Sequence, residues 1–349
     1  MKNRRDKSYL TKKLSGFILI EMMIALTVGL FILGAVSAVA INSGKNSRSN
    51  DRTSELQTNG RYALDVLRRD IQHAGQSGLT PSTGLYQSKV SGFFNIASGV
   101  AVTNDCATGF ALMLEQPVTG SDNSNAYSGT CITNANYVGN TDVIAVRYAD
   151  MSNLWPVLPA TATTAPASAV ANDIYFRSSY SISTIFQKGG VAPNQVGTGP
   201  MQDQLLKTYV YYISPNTNTC SSTNTSPADG IPALCRVGLS GGAMASELVA
   251  SGIENLQVQY GIADASGNGN TQYCNASEIN TGTCPSWTQW QQVQSVRVWL
   301  LARNSGSERS DAYLNKTTYP MGNVSFVPAV GTNDQYRRQL YMATIQMRN

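Results

Sequence analysis

The first long apolar segment of the chain extends from Phe17 to Ile41 and contains one charged residue, Glu21. The twenty residues from Met22 to Ile41 carry no charge. In a helix with a rise of about 1.5 Å per residue they would span roughly 30 Å, the thickness of a bilayer core. Secretory signal peptides have shorter apolar regions, of about 7–15 residues. The pattern therefore predicts a transmembrane helix over residues 17–41.

A polar stretch follows, and apolar residues then return at spacings of three, four and seven. These spacings place the following residues on one helical face: Leu56, Ala63, Leu64, Leu67, Ile71 and Ala74. We expect residues 42–78 to continue the same helix, with a polar part and then an amphipathic part that packs on a globular domain. Gly75, Gly78 and Pro81 are expected to end it.

Beyond residue 80 the apolar period changes to two, which is the period of a half-buried strand. The candidate strands are 109–115, 142–149, 173–187, 205–213, 256–262, 293–303 and 339–347. Residues 79–349 are thus expected to form an extracytoplasmic β-rich domain. An insertion around 156–171, rich in Ala, Thr and Pro, is expected to be flexible. The predicted fold class is α+β, a long N-terminal helix packed on an antiparallel sheet with long loops.

The net charge of +4 is concentrated at the N-terminus. Residues 1–16 hold six Lys or Arg and one Asp, a net of +5, so the remainder has a net of −1. This basic leader should stay in the cytoplasm by the positive-inside rule, which places the C-terminal domain across the membrane. Nothing in the rest of the chain predicts a specific nucleic-acid surface.

Six cysteines follow residue 100, and none belongs to a CxxC pair: Cys106, Cys131, Cys220, Cys235, Cys274 and Cys284. With one histidine in the chain, a zinc site is disfavoured. An even number beyond a membrane segment fits disulfides. Sequential pairing (106–131, 220–235 and 274–284) is favoured because short loops close most readily. Other connectivities and buried free thiols remain open.

Glu21 lies four residues into the apolar segment, where a carboxylate is costly. An acid within a membrane segment is by default a functional candidate. If the chain were cut between Gly16 and Phe17, the carboxylate could neutralise the new terminal amine of another subunit in a stacked assembly. The alternative is a plain signal anchor whose acid lies close to the membrane interface.

The N-terminal segment resembles the class III signal of type IV prepilins and pseudopilins. The match is a basic leader, then Gly16-Phe17-Ile18-Leu19-Ile20-Glu21, then an apolar helix. The resemblance implies a pilin fold, cleavage after Gly16 by a prepilin peptidase, methylation of Phe17, and a role for Glu21 in assembly. The proline common about twenty residues into the mature helix is replaced by Ala38.

Three further segments resemble the PilW family of minor pilins, with J-type minor pseudopilins as relatives: NGRYALDVLRRDIQHAG (59–75), ASGIENLQVQYGIADASGNGN (250–270) and RRQLYMATIQMRN (337–349). The resemblance implies a minor pilin that primes type IV pilus assembly at or near the tip, serving twitching motility, adhesion or DNA uptake. The implied partners are other minor pilins, the major pilin, the prepilin peptidase, the inner-membrane assembly platform and a large tip adhesin. The implied location is the inner membrane, with a periplasmic C-terminal domain, and then the surface pilus.

Two other functions stay open at this point. One is a minor pseudopilin of a type II secretion system, and the other is a pilus-associated binding or adhesion module. An enzyme is not expected, because no P-loop, HExxH or GxSxG motif is present and His73 has no nucleophile beside it in the sequence. No cofactor is expected.

A calcium loop is the remaining candidate for a bound ion. The loop from Asp264 to Asn270 has alternating oxygen side chains, with Asp264 and Asn268 as candidate ligands. It lacks the bidentate Glu of an EF-hand, since Asn275 stands at that position. We favour a polar turn between two strands for these residues.

Overall fold

The computed structural model describes residues 18–80, 94–157, 172–180, 183–189, 200–220, 226–263, 271–284, 290–307, 313–329 and 332–348. Helix α1 (Leu19–His73) is a continuous α-helix of 55 residues. It ends two residues before Gly75, whose φ of 84° breaks the helical backbone. Clustering of contacts divides the chain into two compact units, 1–51 and 52–349, with the division inside α1.

Fourteen strands lie in the described part of the chain after α1. Their bounds are β1 Phe94–Ile96, β2 Val118–Ser121, β3 Val143–Val157, β4 Ile174–Ser178, β5 Ser183–Gln187, β6 Met201–Ser214, β7 Ala233–Ser240, β8 Ala243–Ser251, β9 Ile253–Ala263, β10 Thr271–Cys274, β11 Val293–Arg303, β12 Tyr319–Met321, β13 Val324–Phe326 and β14 Arg338–Gln346. A short helix α2 (Ala276–Thr281) follows β10.

The first sheet has eight strands and is organised around β6. The order is β1-β5-β4-β6-β3-β2, and β7 also pairs with β6 and with β8. Because β6 has 14 residues, its N-terminal half can pair with β4 and its C-terminal half with β7, while β3 follows its other edge. The pairing is antiparallel except between β1 and β5, which are parallel.

The second sheet has the order β10-β9-β11-β14, and all of its pairs are antiparallel. It consists of strands from the C-terminal third of the chain. A separate two-stranded hairpin, β12–β13, lies beside it. The α+β class and the antiparallel character predicted from the sequence are therefore confirmed, with two sheets where one was expected.

The main core lies where the amphipathic part of α1 meets both sheets. It contains Leu67 and Ile71 from α1 together with Ile144, Leu256 and Val298 from the strands, all of them fully buried or nearly so. A second core on another face of the first sheet includes Phe110, Phe176 and Val210. The apolar stripe of α1 and the period of two in the strands are thus both used to bury side chains.

Three sequence predictions differ from the structure. Residues 109–115 are not a strand, because Gly109 adopts a φ of 71° and a turn of 3₁₀ helix follows at Phe110–Leu112. The Asp105 carboxylate accepts the N–H of Ala111 (3.1 Å), which fixes this turn. The segment 173–187 is two strands, β4 and β5. Pro156 and Val157 belong to β3, and the rest of the predicted 156–171 insertion lies outside the described residues.

Candidate assembly interface

The N-terminal part of α1 exposes a continuous apolar surface. Its most hydrophobic 18-residue window has a mean hydropathy of 2.5, and none of that window is buried. Large side chains along it, such as Leu30 and Phe31, are 71% and 81% exposed. By length and composition this helix is able to cross a membrane. An apolar helix surface of this kind requires lipid or other apolar helices around it.

Glu21 lies in the first turn of α1 and is exposed. Its backbone N–H donates to the Ile18 carbonyl (2.9 Å), so the helix is already formed at this residue. A carboxylate in the first turn is stabilised by the positive end of the helix dipole. The structure therefore places the one acid of the apolar segment at an exposed position in the first turn of α1. Gly16 and Phe17 lie outside the described residues.

Ala38 stands within an unbroken helix, since α1 continues through this position to His73. Gly29 and Gly34 are the glycines of this part, and a Cβ added at either would meet no atom within 4 Å. Thr27 bonds back to the helix through its hydroxyl, which donates to the Met23 and Ile24 carbonyls (3.1 and 3.0 Å). The surface around the glycines is thus open to close approach by another helix.

In the second unit, α1 is held against the second sheet at Gly60. A Cβ at Gly60 would overlap the ring of Tyr341 in β14. The Tyr341 hydroxyl donates to the Leu56 carbonyl (3.4 Å) one helical turn earlier. Near the end of α1, the Arg348 N–H donates to the Gln72 carbonyl (3.0 Å). The C-terminal strand therefore follows the helix from Leu56 to Gln72.

Asp70 connects α1 to the first sheet and is 3% exposed. Its carboxylate accepts the hydroxyl of Tyr148 in β3 (3.0 Å) and a short bond from the hydroxyl of Tyr211 in β6. Arg236 in β7 lies 3.6 Å from the same carboxylate. Burial and the negative charge of Asp70 raise the pKa of both phenols, so they stay protonated and donate.

The comparison with protein families concerns the strands from β6 onward. Residues 210–349 match the family described as PilW, type IV pilus-assembly protein W. The match covers the C-terminal two-fifths of the chain, and over these residues the chain is similar to that family. The match includes β7 to β14, the β14 edge that contacts α1, and Tyr211 and Arg236 of the Asp70 network. Of the three segments that carry the resemblance to this family, 250–270 and 337–349 fall within the match and 59–75 lies outside it.

One comparison with solved structures is a type IV-like pilin from Thermus thermophilus. It is 12% identical, with a TM-score of 0.29, and the alignment covers 86% of this chain and 96% of that protein. A TM-score this low carries no argument about fold or function. No curated protein matches the chain.

The six cysteines form three disulfides, Cys106–Cys131, Cys220–Cys235 and Cys274–Cys284. These are the sequential pairs that loop closure favours. The bridges close intervals of 25, 15 and 10 residues, all in the loop-rich second unit. A short covalent loop stabilises mainly by restricting the unfolded chain. Their presence agrees with an oxidising compartment for this unit.

One cluster within the described residues has the side chains of a metal site: Cys274, Glu278 and Cys284. The two sulfurs are joined to each other, so neither is a thiolate ligand. Glu278 accepts the N–H of Asn275 (2.7 Å) in the capping box of α2. This cluster is therefore structural, and Asn275 is a helix cap. The calcium candidates Asp264 and Asn268 lie outside the described residues.

Sequence reasoning missed the Asp70 network and the Gly60 contact. The signal was available for Asp70, because it stands seven residues after Ala63 and between Leu67 and Ile71, on the apolar face. An acid on a buried helical face needs partners that donate hydrogen bonds. The partners were not predictable, because Tyr148 and Tyr211 are distant in sequence. His73 packs its ring near Tyr148, with 5.7 Å between centroids.

Proposed function

We propose that this chain is a minor pilin that takes part in type IV pilus assembly, with a priming role at or near the tip. The PilW match supports a pilus-related pilin, and the observation that carries the proposal is the apolar, exposed first part of α1 with Glu21 in its first turn. The remainder of α1 is fixed to a disulfide-bonded domain. Such a chain works by assembly, through contacts with other subunits, and not by catalytic turnover.

The proposed pathway starts in the inner membrane, with one helix across it and the second unit in the periplasm. A prepilin peptidase cuts after Gly16 and methylates Phe17. Glu21 then neutralises the terminal amine of a neighbouring pilin inside the helix bundle, where a low dielectric strengthens the pair. The assembly platform, the major pilin, other minor pilins and a tip adhesin are the proposed partners. Twitching motility, adhesion or DNA uptake would depend on the assembled pilus.

Substitution of Glu21 tests this proposal. Glu21→Gln keeps the shape of the side chain and removes its charge. We expect membrane insertion and leader cleavage to persist. The amount of this chain in sheared pili should fall about tenfold or more, which corresponds to a loss of at least about 1.4 kcal/mol in the free energy of assembly. Quantitative immunoblots of membrane and pilus fractions measure both quantities.

Met22→Ala is the matched control, because Met22 is the next residue, is 60% exposed and carries no charge. It should enter pili at the level of the unaltered chain. Normal incorporation of Glu21→Gln, with pilus number also unchanged, would contradict the role given to the carboxylate.

A further inference from the structure

A cleft of about 680 Å³ opens in the second unit between the β12–β13 hairpin and the start of β9. Its size is in the range of specific ligand sites. One wall is strand β13 and the residue after it, from Val324 to Val327, and the other includes Asn140 and Asn255. The residues that line the cleft are separate from the contacts of α1 at Gly60 and Asp70.

The edge of β13 that faces away from β12 is open to hydrogen bonding. Met321 and Val324 flank the two-residue loop of the hairpin, so they form a hydrogen-bonded pair. Such pairs alternate with non-hydrogen-bonded pairs along an antiparallel ladder, so the next pair, Pro320 with Ser325, is a non-hydrogen-bonded pair. The N–H and C=O of Ser325 therefore point away from β12. Ser325 is exposed and lines the cleft. Among the described residues, β13 pairs with β12 alone.

Pro320 makes the two edges of the hairpin unequal. Pro320 occupies a non-hydrogen-bonded position, where the N–H of any other residue would point outward from the edge of β12 that faces away from β13. Proline has no N–H to place there. That edge thus lacks a donor and is blocked for strand addition, which is a recognised use of proline at a sheet edge. The β13 edge keeps both its donor and its acceptor at Ser325. An added strand is therefore favoured on the cleft side.

The opposite wall is held in place by amide groups. The side-chain nitrogen of Gln257, which is 1% exposed, lies 3.1 Å from both the Asn140 carbonyl and the Asn255 Oδ1. The Asn255 Oδ1 accepts from Gln257, so the Asn255 Nδ2 is the atom of this amide that can donate to an occupant of the cleft. Asp142 fixes the same wall by accepting the N–H of Val258 (2.7 Å). Rigid amides of this kind match the carbonyls of an extended peptide.

The charge of the cleft is compensated from within the protein. Glu254 is the charged residue among those that line it. Its carboxylate accepts from Arg338 at 2.5 and 3.1 Å, and Arg303 lies 3.7 Å away. An occupant therefore needs no charge of its own. Val324, Phe326 and Val327 offer apolar contacts, which suits a segment with apolar side chains.

We propose that this cleft receives an extended, uncharged polypeptide segment of a different pilus subunit, which adds to β13 as a third strand. Main-chain hydrogen bonds at Ser325 would give affinity, and the apolar wall would select the side chains. The choice of partner rests on the proposed function, while the strand addition rests on the geometry of the hairpin.

The test places a photo-crosslinking residue, p-benzoylphenylalanine, at Val327, which is 62% exposed, in the full chain expressed in its host. Three backgrounds are compared: unaltered Ser325, Ser325→Ala and Ser325→Pro. Proline removes the outward N–H without touching the bonds to β12, and alanine keeps that N–H. Sheared pili are irradiated, the adducts are identified by mass spectrometry, and thermal unfolding of each purified variant confirms that it is folded.

We expect an adduct with an extended segment of a different subunit, present with Ser325→Ala and reduced about tenfold with Ser325→Pro. Equal adducts in all three backgrounds, or no adduct although the chain is present in pili, would overturn strand addition. An adduct with a second copy of this chain would overturn the assignment to a different subunit. Absence of the chain from pili would overturn the proposed function and, with it, the identity of the partner.

Discussion

Asp70 of α1 contacts side chains from three strands of the first sheet, β3, β6 and β7. Two phenols donate to its buried carboxylate, and Arg236 supplies the compensating charge. A buried carboxylate without such partners would be strongly unfavourable. The network therefore specifies the position of the end of α1 on the sheet, because the carboxylate is satisfied only when all of its donors are close.

Replacing Asp70 by Ala should lower the free energy of unfolding by about 3 kcal/mol, because two buried phenols lose their acceptor and the half-buried Arg236 loses one of its two carboxylate partners. Asp65→Ala is the matched control, since Asp65 is an exposed acid on the same helix, and it should change stability by less than about 0.5 kcal/mol. Denaturant unfolding of the purified chain in detergent measures both. Equal stability of the two variants would show that the network contributes nothing.

Helix α1 is an element with two surfaces of different character. Up to Ile41 its large apolar side chains are exposed, and from Leu56 its apolar face is buried. The change follows the sequence, in which charged residues appear from Lys45 onward. The closest approach to the second sheet is at Gly60, where only a residue without a side chain leaves room for the Tyr341 ring.

Gly60→Ala should destabilise the second unit, although alanine is favoured over glycine in helices by about 1 kcal/mol. The added methyl group overlaps the Tyr341 ring, so the ring or the helix has to shift and the contact between α1 and β14 is weakened. Gly44→Ala is the control, because nothing lies within 4 Å of a Cβ there, and it should be neutral or stabilising. Thermal unfolding compares the two variants. A higher melting temperature for Gly60→Ala would contradict the close contact.

The elements with strong periodicity were the predictable ones. The strand predicted at 293–303 matches β11 residue for residue, and the apolar stripe from Leu56 to Ala74 is buried. The hairpin β7–β8 was missed, because β8 buries only Met244 and Ala250 fully and shows no period of two. The turn at Phe110 was misread because its conformation depends on Asp105 and Gly109, and not on hydrophobicity. The cleft depends on contacts distant in sequence.

The whole molecule combines an apolar helix for assembly with a domain that carries specific contacts. The membrane-spanning length of α1 and the PilW match of residues 210–349 are independent observations, one physical and one from comparison. Both are consistent with a pilin. Three disulfides agree with an oxidising compartment for the second unit.

The most direct test of this account is the intact mass of the mature chain isolated from pili of its host. The account predicts a mass that lacks residues 1–16, gains one methyl group, and is six hydrogens lighter for three disulfides. A chain that retains its leader, or that is cut after the apolar segment, would contradict prepilin processing and the assembly role built on it.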